Sequence, residues 1–283
     1  MKEEGQYIGL LELQEQMREG IESFFPEKLW VSAEVASVQV KANGHCYMDL
    51  CQSEDGKVVA KAKAVIWRSR YLPVSNYFRS AVGSDIKAGM QLLVRVQVTY
   101  SELYGLTLTI DEVEPQFTLG AAELERRRTI ARLEEDGLME KQKGLELAAL
   151  PYRLAVISAR DAAGYGDFCR HLSRNEYGFV FEIELFEATM QGLEAPVSIV
   201  DAMERIECSA VPFDAVLIMR GGGSSLDLAC FDDYALCFSI ANCSLPVFTA
   251  IGHDRDNHVA DMVAFQAVKT PTALADVFIG AFA

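Results

Sequence analysis

The chain has 283 residues, a formal net charge of −15 and a hydrophobic fraction of 50%. Because a typical domain has roughly 100–200 residues, this length predicts about two domains, and the apolar content excludes a disordered chain. No apolar run reaches the roughly 18 residues of a membrane span, which argues against an integral membrane protein or a membrane partner. Averaged over the chain, the acidic charge also argues against an anionic partner such as nucleic acid.

The N-terminus and the cysteines indicate the compartment. The first four residues are Met-Lys-Glu-Glu, which is acidic where a signal peptide is basic and then apolar. The seven cysteines include no CxxC pair, which indicates neither a zinc ribbon nor a disulfide scaffold. We therefore expect a cytoplasmic protein with reduced thiols.

The charge is unevenly distributed. Residues 1–27 carry a net charge of −5 and residues 151–283 carry −10, whereas residues 28–118 carry +1. Within this last block, residues 57–95 hold eight Lys and Arg residues against Asp85 alone, a net charge of +7. Such a segment can attract a polyanion, and a solvated strand face is the alternative explanation.

Residues 1–118 are predicted to form a helix followed by a small β-barrel. Apolar residues spaced three and four apart over 10–21 indicate an amphipathic helix. From Trp30 the period changes to two, which predicts strands over 30–35, 46–50, 58–67, 90–100 and 106–113. Five short strands without βαβ alternation favour a closed barrel of the five-stranded OB-fold type.

The barrel carries a candidate interface for single-stranded nucleic acid. Cations follow the phosphate backbone of such a ligand, while bases stack on aromatic rings. The candidate residues are Lys61, Lys63, Trp67, Arg68, Arg70, Arg95 and Tyr104. The alternative is that about half of the aromatic side chains fill the barrel.

Residues 119–150 form a charged, largely helical connector, and Pro151 opens a second domain, residues 151–283. Arg126, Arg127 and Arg128 in the connector either contact DNA or pair with neighbouring glutamates. Beyond it, apolar strands over 154–157, 179–186, 215–219 and 246–251 alternate with helices, one of them over 226–242. This alternation predicts an α/β domain with a mainly parallel sheet.

Unusual residues follow three of these strands. A turn over 162–166 and Asp167 follow the first strand. Arg220, Gly221, Gly222, Gly223 and Ser224 follow the third, and His253 and Asp256 follow the fourth. Ligands of open parallel sheets bind at the carboxyl ends of the strands, so we expect these groups to converge.

The constellation suits phosphoryl transfer. Three glycines before a helix let backbone amides approach an anionic oxygen, and the Arg220 guanidinium can neutralise charge developing on phosphorus. His253 suits proton transfer near neutral pH. Asp167 and Asp256 can hold a divalent cation, orient the histidine or position water. The competing interpretations are a tight strand-to-helix turn for the glycines and a structural role for the histidine.

The chain has a barrel, a connector and an α/β domain in that order, and it carries the motifs Arg-Gly-Gly-Gly-Ser from Arg220 and Gly-His-x-x-Asp from Gly252. This combination resembles the large subunit of exodeoxyribonuclease VII. The resemblance extends from about Leu29 to Asp276. It implies a DNA-repair nuclease that trims single-stranded DNA from either end to short oligonucleotides, in complex with several small helical subunits. The catalytic positions of the family fall here on Asp167, Arg220, His253 and Asp256. Some members of the family are metal-independent and others use Mg²⁺, so both alternatives stay open.

Two departures from the family pattern bear on function. The first turn reads Ser158-Ala-Arg-Asp-Ala-Ala-Gly164, which shifts the glycine of the family's Thr-Ser-x-x-Gly-Ala-Ala. The chain also ends at Ala283, before the coiled-coil helices that recruit the small subunit in the family. We therefore expect a truncated chain without the partner-binding region. The alternative function is a catalytically inactive module that binds single-stranded DNA. A third hypothesis, an enzyme that acts on a small nucleotide, would leave the basic barrel unexplained.

Overall fold

The computed structural model describes residues 7–54, 57–220, 227–252 and 258–282. The chain divides into two compact units, residues 1–121 and residues 122–283. No helix in the described ranges is long and apolar enough to cross a membrane.

The first unit contains a helix and a closed five-stranded barrel. The barrel order is β1-β2-β3-β5-β4, with a parallel pairing between β3 and β5 and antiparallel pairings elsewhere. This confirms the OB-fold-like barrel predicted from the sequence. The elements are α1 (Leu10–Phe24), β1 (Leu29–Val40), β2 (Cys46–Glu54), β3 (Lys57–Ile66), β4 (Gln91–Ser101) and β5 (Gly105–Val113).

The alternation of side chains along the strands fills the barrel. On β4, Leu92, Val94 and Val96 are fully buried, while Arg95 between them is not. Successive side chains of a strand point to opposite faces, so the apolar residues share the inside of the barrel. The period of two in the sequence therefore reflects the alternation between side chains inside and outside the barrel.

A helix that the sequence analysis did not predict lies between β3 and β4. Helix α2 spans Arg68–Val82 and packs against β5. Its buried residues Val74, Phe78 and Val82 are four residues apart, which is the spacing of one helix face. Pro73 inside the helix and the polar residues around it obscure this pattern, because proline normally ends a helix.

Helix α3 (Pro115–Glu135) crosses the division between the two units and is followed by a 3-10 turn, Gln142–Gly144. Leu133 and Leu138 of the predicted connector are buried in the core of the second unit. Part of the connector therefore packs with the α/β unit.

The second unit is built on a five-stranded parallel sheet with the order β10-β9-β8-β6-β7. This confirms the parallel sheet expected from the alternation of strands and helices. Because β7 lies on one side of β6 and β8 on the other, the winding of the chain reverses between β6 and β8. The strands are β6 (Arg153–Ser158), β7 (Glu182–Glu187), β8 (Ala215–Arg220), β9 (Val247–Ile251) and β10 (Gln266–Ala267).

Helices cover both faces of this sheet. Helices α4 (Ala163–Ser173) and α8 (Pro271–Gly280) share one apolar core with it. On the other face lie α5 (Ala195–Glu207), α6 (Tyr234–Asn242) and α7 (Val259–Val263). The sheet is therefore doubly wound, and its ligand crevice belongs where the winding reverses, beyond the carboxyl ends of β6 and β8.

Two local expectations were wrong. The single helix expected over 226–242 is a 3-10 turn at Ala229–Asp232 followed by α6. Asp233 separates the two, because its carboxylate accepts a hydrogen bond of 2.9 Å from the Leu236 amide and so caps α6. The turn expected over 162–166 is already helical from Ala163 onward.

Candidate active site and nucleic-acid interface

The carboxyl ends of β6 and β8 are joined by a buried hydrogen bond. The Ser158 hydroxyl, at the end of β6, donates to the Met219 carbonyl at 2.9 Å. Both residues are fully buried. The bond fixes the end of β8, where Arg220 is the last residue of the strand.

Arg220 is half-buried, and its guanidinium is held by two acceptors. Nη1 donates to the Asp227 carbonyl at 3.0 Å and Nη2 donates to Gln191 Oε1 at 3.3 Å. The side chain lines a cavity of about 600 Å³. Other lining residues follow β6 (Ala159, Ala162, Ala163) or β7 (Thr189, Met190, Gln191). Arg220 therefore stands at the predicted crevice of the sheet.

Asp167 occupies a different place. It lies one turn inside α4, where its carboxylate accepts a hydrogen bond from the Arg170 guanidinium. It lines a second cavity, of about 550 Å³, together with His171, Arg174 and Asp276. The structure therefore does not bring Asp167 and Arg220 to one cavity, although both follow carboxyl ends of strands in the sequence.

The remaining predicted site residues, Gly221, Gly222, Gly223, Ser224, His253 and Asp256, lie outside the described residues. The strand ends that precede them are adjacent, since Arg220 pairs with Ile251 in the β8–β9 ladder. Gly252, which follows β9, has φ +81°, a left-handed conformation that favours glycine. The carboxyl ends of β8 and β9 therefore lie side by side.

A buried polar network, which the sequence analysis did not identify, lies beside β9. Thr249 Oγ1 donates to Asp261 Oδ1 at 2.6 Å, and the His258 amide donates to Asp261 Oδ2 at 3.2 Å. The Val259 amide donates to Asp232 Oδ1 at 2.7 Å. Burial raises the pKa of Asp261. These bonds fix the start of α7.

Within the described ranges, no group of three or more His, Cys, Asp or Glu side chains could hold a metal ion.

The predicted nucleic-acid-binding residues of the barrel unit do not share one strand. Lys61 and Lys63 are exposed on β3, whereas Arg68 and Arg70 belong to α2. Arg95 is half-buried on β4. Trp67, which precedes α2, and Tyr104, between β4 and β5, are 44% and 81% exposed, so neither fills the barrel.

The cations of this set differ in their ion pairs. Arg95 Nη1 lies 3.1 Å from Glu112 Oε1, and Arg70 Nε lies 3.9 Å from Asp111 Oδ1. Lys61 and Lys63 form no ion pair with any described carboxylate. The two lysines therefore offer more charge to a phosphate than the two paired arginines.

Two further aromatic residues lie beside Trp67 of the candidate interface. The His45 ring lies edge-on to Trp67 with 4.9 Å between ring centroids, and 6.3 Å from the Tyr47 ring. His45 Nδ1 accepts a hydrogen bond of 3.0 Å from the Arg68 amide, which ties the start of β2 to the start of α2. The sequence signal was the spacing of His45 and Tyr47 on the same side of β2, directly after the Asn-Gly turn.

Comparison with known families gives two matches. A family profile described as "OB-fold nucleic acid binding domain" matches residues 8–114. A second, described as "Exonuclease VII, large subunit", matches residues 138–282 and so covers the unit that carries Arg220. The chain belongs to the exonuclease VII large subunit family. This confirms the resemblance inferred from the sequence motifs.

Curated members of the exonuclease VII large subunit family align with most of the chain. Proteins named "Exodeoxyribonuclease 7 large subunit" from Deinococcus radiodurans and a Nostoc species are 33% and 32% identical over 278 and 280 residues. These alignments cover 95% and 97% of the chain and 66% and 61% of the relatives. A Cyanothece relative of the same name is 32% identical over 252 residues, which are 89% of the chain and 56% of the relative. The chain thus spans between 56% and 66% of the length of these relatives.

Proposed function

We propose that this chain is the large subunit of a single-strand-specific exodeoxyribonuclease, which hydrolyses phosphodiester bonds of single-stranded DNA from either end and releases short oligonucleotides. The observation that carries this proposal is the match of residues 138–282 to the exonuclease VII large subunit profile. The position of Arg220 beside a cavity at the switch point of the sheet supports it further.

In this proposal the barrel and the α/β domain have different functions. The barrel within residues 1–118 binds single-stranded DNA, and residues 151–283 hydrolyse it. Residues 119–150 connect the two. Lys61 and Lys63 attract the phosphates, while the exposed rings of Trp67 and Tyr104 offer surfaces for stacking bases. Arg70 and Arg95 contribute less, because Asp111 and Glu112 already pair with them, and Arg68 adds a cation at the start of α2.

The cutting site is proposed around Arg220. Its guanidinium binds the non-bridging oxygens of the scissile phosphate and stabilises charge in the transition state. The backbone amides of Gly221, Gly222, Gly223 and Ser224 act on the same oxygens. A water oxygen attacks phosphorus and loses one proton, while the bond from phosphorus to the bridging oxygen breaks and that oxygen leaves as a hydroxyl group. His253 either accepts the proton from the water or donates one to the leaving oxygen.

The acidic residues are proposed to position these groups. Asp256 orients His253 or the attacking water. Asp167 is proposed for the same role from its place in the family pattern; in the structure its carboxylate pairs with Arg170 and lines the other cavity. Asp256 and Asp167 are the carboxylates that would bind Mg²⁺ in a metal-dependent member of the family.

We further propose that the protein acts in the cytoplasm with the small subunit of exodeoxyribonuclease VII. The relatives are named as a large subunit, which supports a smaller partner. The relatives' names support enzymatic activity over the alternative of an inactive DNA-binding module.

The deciding experiment follows the degradation of a labelled single-stranded oligonucleotide. The 283-residue chain is assayed with and without the small subunit, in Mg²⁺ and in EDTA. We expect cleavage of single-stranded and not of double-stranded DNA, and loss of cleavage in Arg220→Ala. Binding of the oligonucleotide without cleavage under every condition would favour the inactive module.

A further inference from the structure

Two hydrogen bonds between the end of β7 and α5 fix the segment that follows β7. Arg205 Nη2 donates to the Glu187 carbonyl at 3.1 Å, and the Thr189 amide donates to Ser198 Oγ at 2.9 Å. These contacts hold the backbone on either side of Ala188, which is buried in the core. The helix thereby sets the direction in which the segment reaches the cavity.

Gln191 is the residue that this segment presents to Arg220. Its Oε1 accepts the 3.3 Å hydrogen bond from Arg220 Nη2, while Arg220 Nη1 is bound by the Asp227 carbonyl. The guanidinium is thus held at two of its nitrogens by neutral acceptors. Gln191 and Arg220 line the same cavity of about 600 Å³.

We propose that Gln191 is a positioning residue for Arg220, an inference that rests on the proposed function of this site. A neutral amide oxygen orients the guanidinium without cancelling its charge, which stays available for a phosphodiester. A carboxylate at the same position would also orient Arg220, but its charge would compete with the phosphate. Glutamine therefore suits this position better than glutamate, because it orients Arg220 without competing with an anion for its charge.

One test does not depend on cleavage. Arg220 is modified with phenylglyoxal in the full chain, and the rate is followed by mass spectrometry of the peptide that contains it. We expect Gln191→Ala to accelerate the modification by about two- to tenfold, the change that corresponds to one lost hydrogen bond. Leu193→Ala, on the same segment and 60% exposed, is the matched control and leaves the rate unchanged. An unaltered rate in Gln191→Ala overturns the inference.

A second test uses cleavage of single-stranded DNA. In Gln191→Ala we expect kcat to fall about tenfold with KM nearly unchanged, as when an interaction made in the transition state is lost. Gln191→Ala should add nothing further in an Arg220→Ala background, because it acts through that arginine. Gln191→Glu should lower kcat while keeping phenylglyoxal modification slow. Wild-type kcat in Gln191→Ala overturns the inference, whereas absence of cleavage by the wild type, with Arg220 modification still accelerated, contradicts the proposed function alone.

Discussion

The Ser158 hydroxyl and the Met219 carbonyl form a fully buried hydrogen bond of 2.9 Å between the carboxyl ends of β6 and β8. It lies one residue before Arg220, at the place where the winding of the sheet reverses. The local stability of the strand ends and the position of the arginine therefore depend on the same contact.

Replacing Ser158 tests this contact. We expect Ser158→Ala to lower the free energy of unfolding by about 1 kcal/mol, because one buried hydrogen bond is lost. Chemical denaturation measures the change. Ser173→Ala is the control, since Ser173 is exposed at the end of α4 and should change stability by less than about 0.5 kcal/mol. Equal stabilities of the two variants would contradict the structural role of Ser158.

The predicted connector contributes a buried side chain to the α/β unit. Gln142 is fully buried; its Nε2 donates to the Cys243 carbonyl and its Oε1 accepts from the Val247 amide, both at 2.9 Å. Gln142→Leu leaves both backbone groups unpaired, so we expect a loss of about 2 kcal/mol or more in the free energy of unfolding. Gln116→Leu, at an exposed position of α3, is the control. Unchanged stability in Gln142→Leu would contradict this role.

The pH dependence of stability tests the burial of Asp261. Burial raises its pKa above the value of an exposed aspartate, so the folded state binds the proton more tightly than the unfolded state. The contribution of this group to stability therefore increases as pH falls through the folded pKa towards the unfolded value. Comparing the wild type with Asp261→Asn in denaturant titrations, we expect the difference to shift in favour of the wild type as the pH is lowered. A shift in the opposite direction would mean that the hydrogen bond from Thr249 outweighs burial.

The barrel interface makes a prediction about salt. Lys61→Gln combined with Lys63→Gln should weaken binding of oligo-dT and reduce the slope of log Kd against log salt by about 1.4, since each cation bound to a single strand contributes about 0.7. Arg70→Gln combined with Arg95→Gln is the matched control, because these two arginines already pair with Asp111 and Glu112 and should change the slope less. Fluorescence anisotropy at several salt concentrations measures both double variants. A larger effect from the two arginines would contradict the proposed interface.

The regular elements were predictable because hydrophobic periodicity reports burial directly. The period of two along β4 and the apolar runs of β6 and β8 indicated the barrel and the parallel sheet. Helix α2 escaped detection because Pro73 and exposed polar residues mask the spacing of its three buried apolar residues. The strands of the barrel and of the sheet were therefore easier to predict from local sequence than the irregular helix α2 that packs on the barrel.

The candidate site was only partly predictable. Arg220 could be placed at the crevice because it directly follows a buried strand. Asp167 follows a strand by more residues, and the direction of its side chain depends on where α4 begins, which the sequence left undefined. Gln191 has no motif of its own, since its relation to Arg220 arises only when β7 and β8 flank β6 and their carboxyl ends lie at the same edge of the sheet.

The most direct test of the account is the rate at which the reconstituted complex degrades a single-stranded oligonucleotide, compared between the wild type and Arg220→Ala. We expect at least about a hundredfold loss of kcat in the variant, the size of effect seen when a donor that stabilises transition-state charge is removed, with oligonucleotide binding by the barrel retained. Degradation by Arg220→Ala at the wild-type rate would contradict the assignment of the cutting site to the carboxyl end of β8.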